Sequence, residues 1–200
     1  MKTLQSICLF CGASPGADPA FRESAIAFGR TLARRNIRLI YGGGSVGLMG
    51  LAADACLEAG GQVTGVIPRL LMEKEVGHAG LSDMRVVETM HERKALMTQL
   101  SDGFVAIPGG YGTLDELFEA LTWQQLSYHR LPVAILNVSG YYDHLLKFLD
   151  HARDQRLLRD MHRDSLLVGT VLDDLLDRMQ QFVAPDNSKW LDRAAVEMEP

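Results

Sequence analysis

Glu116, Arg93 and Lys94 are the side chains of this sequence best placed to do chemistry, and a glycine-rich turn stands beside them. The turn reads Pro108-Gly109-Gly110-Tyr111-Gly112-Thr113-Leu114-Asp115-Glu116. Before it, residues 103–107 are apolar and partly β-branched, the pattern of a buried strand. After it, Leu114, Leu117, Phe118, Leu121 and Leu126 recur near helical spacing, so a helix is expected from about Thr113. Strand, glycine turn and helix aim free backbone N–H groups and a positive dipole end at one point. An anion, foremost a phosphate, is expected on Gly110, Tyr111, Gly112 and Thr113. Glu116 would then lie in the first helical turn, beside whatever carries that phosphate. Thr113 and Glu116 also fit a T-x-x-E capping box, in which Glu116 would only bond the Thr113 backbone.

Arg93 and Lys94 follow another expected strand, residues 84–89, and fall in the first turn of a helix that continues through Leu96, Met97 and Leu100. Cations near a helix N-terminus oppose its dipole, so local stability does not explain them. Two readings remain: an electropositive site for a nucleotide, or a salt bridge with Glu88 or Glu92.

The glycine turn, Met90-His91-Glu92-Arg93-Lys94 and Tyr41-Gly42-Gly43-Gly44, at these separations, resemble the LOG ("Lonely guy") family of cytokinin riboside 5′-monophosphate phosphoribohydrolases. Its members long carried the label "lysine decarboxylase-like". The resemblance runs from Cys8-Leu9-Phe10-Cys11-Gly12 to about Val168. It implies hydrolysis of the N-glycosidic bond of a purine nucleoside 5′-monophosphate, with adenine or an N6-modified adenine as base, giving free base and ribose 5-phosphate. It further implies a homodimer with sites near the subunit boundary, and no metal or organic cofactor. Arg93 and Glu116 are the implied catalytic pair. The implied substrate contacts are Glu75, Arg93, Lys94, Gly109, Gly110, Tyr111, Gly112, Thr113, Leu114, Asp115, Glu116 and Thr122. A transition state with oxocarbenium character suits this set, because a carboxylate stabilises the anomeric carbon and positions water. Arg93 would orient the ribose and hold Glu116 ionised.

Other motifs point elsewhere and are weaker. Gly42, Gly44 and Gly47 match G-x-G-x-x-G between a strand and an apolar helix. A dinucleotide fingerprint also needs an acidic residue at the end of the next strand, and Pro68-Arg69 stands there instead. The turn is read as a second phosphate-side or packing turn, and an NAD(P)-dependent oxidoreductase is the lesser alternative. A non-catalytic nucleotide-binding or sensing module is the other, although its arginine–glutamate pair would be expected to be broken. Pyridoxal chemistry would need a Schiff-base lysine, and Lys94 alone lies near the motifs. Cys8 and Cys11 form a C-x-x-C along a strand, where they point to opposite faces and read as core. The six histidines show no metal spacing. Ser14, at the end of the first strand, is a candidate for substrate contact or for a turn.

These residues need a frame. Strands are expected at residues 6–11, 37–41, 62–67, 84–89, 103–107, 131–138 and 165–168, alternating with helices, and residues 70–81 read as irregular. That alternation predicts an α/β, doubly wound, Rossmann-like parallel sheet of about seven strands with helices on both faces. One domain is expected over residues 1–183, with a polar tail at 184–200 that packs, if at all, through Trp190. Two hundred residues at 47% hydrophobic content can bury a sizeable core. A formal charge of −5 argues against a nucleic-acid surface. No apolar run suits a membrane span, no signal-peptide pattern is seen, and the three cysteines suggest no disulfide framework, so a cytoplasmic protein is expected. The helix carrying Trp123, Gln124, Leu126 and Tyr128 is the candidate for subunit contact.

Overall fold

A computed structural model describes residues 3–75, 77–81 and 83–186; Trp190 and most of the tail lie outside them. Strands β1 (Ser6–Phe10), β2 (Arg38–Tyr41), β3 (Val63–Pro68), β4 (Asp83–Val87), β5 (Phe104–Ala106), β6 (Val133–Leu136) and β7 (Leu166–Gly169) form one sheet. Its order is β4-β3-β2-β1-β5-β6-β7, and every pairing is parallel. The chain winds outward from β1 to one edge and then restarts at β5 on the other side. This leaves a topological switch between β1 and β5, where the connections diverge and ligands gather.

Parallel strands buried on both faces read as continuous apolar runs, as β1 and β6 do. Alternation along β1 sends Ile7 and Leu9 into the core under helices α1 (Pro19–Arg34) and α2 (Gly47–Glu58). Cys8 and Phe10 enter the opposite core, with Met97 of α4 (Met90–Gln99), Leu117 of α5 (Tyr111–Gln125) and Leu149 of α6 (Asp143–Asp154). Cys11 falls with the first core and Cys8 with the second, so the C-x-x-C pair is divided by the sheet. Burial pushes both thiols well up, which makes them inert packing groups.

Local signals account for most boundaries. Asp18 caps α1 by accepting the Ala20 N–H at 2.9 Å, with Pro19 at the first helical position. Asn36 follows the helix at φ 55°, a left-handed position that asparagine tolerates. Two expectations change. The segment read as irregular opens with a helix, α3 (Arg69–Glu75), whose apolar residues lacked a full amphipathic repeat. A short helix, α7 (Asp160–Asp164), precedes β7, and α8 (Leu172–Gln180) closes the described fold. Among the described residues no helix is long and apolar enough to cross a membrane.

Candidate active site

The glycine turn closes β5 at the topological switch and delivers the chain into α5. The helix starts at Tyr111, with Gly110 as N-cap, two residues earlier than expected. Thr113 therefore lies inside the first turn and caps nothing, and the capping-box role for Glu116 is removed. The T-x-x-E box of this protein is at Thr89 and Glu92, where the sequence reading did not place it. There the Thr89 hydroxyl accepts the Glu92 N–H at 3.1 Å, and Glu92 accepts the N–H groups of Glu88 and Thr89 at 2.9 and 3.4 Å.

Every carbonyl of residues 107–110 is tied back into the protein. Ile107 accepts from the Tyr142 hydroxyl at 2.8 Å, Pro108 from the Gly12 N–H at 3.0 Å, and Gly109 from the Tyr141 hydroxyl at 2.6 Å. Gly110 accepts the first helical bond, from Leu114 N–H, at 3.1 Å. By contrast, no acceptor among the described residues takes the N–H groups of residues 109–113. A Cβ added to Gly110 or Gly112 would meet nothing within 4 Å, so the space beside these two glycines is open. Gly109 is different, because a Cβ there would lie 2.0 Å from the Thr113 hydroxyl oxygen. Carbonyls withdrawn and N–H groups presented at a helix start make a concave site for an anion. A cavity of about 320 Å³ adjoins it, lined by Ser14, Phe21, Gly110 and Tyr141 among others. Ser14 is exposed there and accepts only a long 3.4 Å contact from its neighbour Gly16.

Glu116 follows Thr113 on the same face of α5, ~4.5 Å farther along the axis. Its side chain is 14% exposed, and the Arg93 guanidinium stands 4.0 Å away, an electrostatic contact too long for a hydrogen bond. No donor among the described residues bonds this carboxylate. Burial pushes Glu116 up to about 7; Arg93 pulls against that and Asp115 adds to it. Arg93 favours the ionised form, and at this distance desolvation outweighs the guanidinium. A buried carboxyl with no donor is costly to keep and is characteristic of a working group.

Arg93, itself buried, does not pair with Glu88 or Glu92. Its Nε donates to the Val66 carbonyl at 3.2 Å and its Nη2 to the Gly42 carbonyl at 3.2 Å. These carbonyls lie at the carboxyl ends of β3 and β2, and they offset the unfavourable dipole at the start of α4. Gly42 leaves room for this, since a Cβ there would fall 1.9 Å from Nη2. The G-x-G-x-x-G turn is consequently a packing turn: Gly42 seats Arg93, and Gly47, at φ 63°, lies against the Ala13 backbone. Arg69, just after β3, bonds Glu88 at 2.9 Å. The Arg93-seating role of Gly42 was missed in the sequence, where only the glycine run itself signalled close approach.

The remaining expected contacts divide. Lys94 bridges α4 to α5, with Nζ 3.2 Å from Asp115 and 2.9 Å from Glu119. Burial lowers its ammonium, but Glu119 and Asp115 together reverse this and leave it above its ordinary value. Tyr111 is 94% exposed at the mouth of the turn. Leu114 turns into the core and spends its N–H on Gly110, so it offers a ligand neither group. Thr122 bonds the Phe118 carbonyl at 2.7 Å and lines a separate cavity with Leu149 and Leu158, so the fold does not bring it to the others. Glu75 ends α3, and its side chain lies outside the described part.

Comparison with known proteins agrees with this architecture. A family model described as "Possible lysine decarboxylase" matches residues 49–179. A cytokinin riboside 5′-monophosphate phosphoribohydrolase of Arabidopsis thaliana is 46% identical over 88% of this chain and 81% of its own length. A probable enzyme of the same name from Oryza sativa subsp. japonica is 42% identical over 96% of this chain and 79% of its own. The molybdenum cofactor (Moco) carrier protein of Chlamydomonas reinhardtii is 20% identical, covers 88% of this chain and 95% of its own, and superposes with a TM-score of 0.65, a likeness of fold. With relatives this similar over nearly the whole chain, the protein belongs to the LOG family of phosphoribohydrolases.

Proposed function

We propose that this protein is a hydrolase that cleaves the N-glycosidic bond of an adenine or N6-modified adenine nucleoside 5′-monophosphate, releasing free base and ribose 5-phosphate. Its plant relatives are named for this reaction on cytokinin riboside 5′-monophosphates. The observation that carries the reading is the pairing of two unsatisfied features on one helix. Unspent N–H groups of residues 109–113 stand at its start, and a buried, donor-free Glu116 lies one turn on. The N–H groups grip the 5′-phosphate, and that binding energy fixes the ribose along the first turn of α5. The bond from the anomeric carbon to the base nitrogen breaks with its electron pair leaving on the base. The Glu116 carboxylate stabilises the cationic sugar and takes a proton from the water that adds to the anomeric carbon; that proton passes on to the departing base, which leaves neutral and frees the carboxylate. Arg93, fixed by two backbone carbonyls, orients the sugar hydroxyls.

Residue chemistry disfavours the competing readings. A Schiff-base lysine needs a depressed pKa, whereas Lys94 is shifted upward between two carboxylates. Two of the three fingerprint glycines are committed, Gly42 to Arg93 and Gly47 to the Ala13 backbone. We further place the protein in the cytoplasm as a homodimer. Its three cysteines are unpaired and buried, and Leu126 and Tyr128 are exposed beyond α5, at 37% and 77%. Gln124 is buried within the chain and bonds the Leu131 carbonyl at 2.7 Å. The direct test is chromatography of the products from AMP, isopentenyladenosine monophosphate and adenosine. Free base from a monophosphate and little from adenosine is expected; equal rates on AMP and adenosine would refute phosphate anchoring.

A further inference from the structure

Two consecutive tyrosines reach the end of β5 from the neighbouring β6–α6 connection. This connection is built to present them together. The Asn137 amide donates to Asp143 at 2.7 Å, and its oxygen accepts the Tyr142 N–H at 2.8 Å. Ser139 and Gly140 turn the chain through the left-handed region, at φ 50° and 69°. The Tyr141 ring stands edge-on to Phe21 and to Tyr142, with centroids 5.4 and 4.9 Å apart. Both hydroxyls then end on backbone carbonyls: Tyr142 on Ile107 at 2.8 Å and Tyr141 on Gly109 at 2.6 Å.

The two bonds differ in what they orient. A peptide unit is planar, and in the trans form its N–H points opposite to its C=O. The Ile107 carbonyl shares its unit with Pro108, which has no N–H, so Tyr142 orients no donor. The Gly109 carbonyl shares its unit with the Gly110 N–H, the first donor of the helix cap. That unit lies between two glycines, the residues least able to fix their own torsions. No other group among the described residues bonds its carbonyl or its N–H.

We propose that Tyr141 is a positioning residue of the phosphate turn. Its hydroxyl holds the Gly109–Gly110 peptide so that the Gly110 N–H faces the bound phosphate, whereas Tyr142 beside it only anchors the strand end. The inference rests on the phosphate reading of residues 109–113. Tyr141 is 43% exposed, so its bond adds little to stability; Tyr142 is 2% exposed and its bond is a core contact.

Calorimetric titration of inorganic phosphate into wild type, Tyr141→Phe and Tyr142→Phe, with melting curves for each, separates the two roles. Phenylalanine keeps both ring contacts and removes only the hydroxyl. Tyr141→Phe should weaken phosphate binding about fivefold to tenfold with a small change in Tm, and should raise KM for the monophosphate more than it lowers kcat. Tyr142→Phe should lower Tm more and leave phosphate affinity within about twofold. Unchanged affinity in Tyr141→Phe, or equal losses in both variants, would overturn the proposal. Wild type that binds no phosphate would overturn it together with the anchoring reading. Wild type that binds phosphate but hydrolyses no monophosphate would refute the catalytic reading alone, and the Tyr141 result would still stand.

Discussion

Replacing Glu116 by Gln should stabilise this protein, by an amount that grows with pH. Burial lifts the Glu116 carboxyl from an ordinary 4.5 to about 7. Between those values the folded protein retains a proton that the unfolded chain has released, so wild-type stability falls as pH rises through that window. A shift of this size, at about 1.4 kcal/mol per pH unit, amounts to about 3 kcal/mol lost by pH 8. Gln has the same shape and no charge, so the variant escapes that loss. Its gain is trimmed because Arg93 loses a counter-charge, although the guanidinium keeps its bonds to Val66 and Gly42. The net expectation is about 2–3 kcal/mol in favour of Glu116→Gln at pH 8 and near zero at pH 4.5, or several degrees in Tm at the higher pH. Urea denaturation of both proteins across this range measures it. A difference that stays flat with pH would refute the claim that Glu116 is held in a desolvated, donor-poor site.

Three further outcomes follow from the geometry. Gly112→Val adds a side chain whose Cβ meets nothing within 4 Å outside its own turn, so the melting temperature should hold while KM for the monophosphate rises about tenfold or more; an unchanged KM would take the phosphate away from this turn. Gly42→Ala puts a methyl group 1.9 Å from the Arg93 Nη2 and should displace the guanidinium, lowering kcat by about tenfold or more with the fold retained by circular dichroism. Wild-type kcat in that variant would mean that the seat of Arg93 does not matter to catalysis. Light scattering at micromolar concentration should give twice the chain mass, and a monomer would remove the dimer reading.

Much of the fold was legible because its signals are local. Apolar runs marked the strands of a doubly covered sheet, and the β–α alternation limited the topology to a parallel sheet. The candidate site was partly legible, since glycines between strand and helix point to an anion whatever the fold around them. What was not legible depends on groups far apart in sequence. The helix start moved to Tyr111 because the cap is a glycine, which carries no side-chain signal. T-x-x-E occurs at both Thr89 and Thr113, and the pattern alone cannot say which threonine is the cap; only the first has the extended backbone and reciprocal bonds. Arg93 reaches across to carbonyls 51 and 27 residues away, so neither nearby glutamate predicted its partners. The pKa of Glu116 is a matter of burial, and a sequence shows the charged neighbour without showing the desolvation that outweighs it.

The most direct test of the proposed mechanism is kcat for Glu116→Gln on whichever of AMP and isopentenyladenosine monophosphate the wild type cleaves faster. The helix cap is Gly110 and Glu116 makes no capping bond, so any loss of turnover reports on chemistry. A carboxylate facing an oxocarbenium-like carbon should be worth about 10²-fold or more in kcat, on the order of 3 kcal/mol, with monophosphate binding retained. Wild-type turnover in this variant would contradict the mechanism at its central residue.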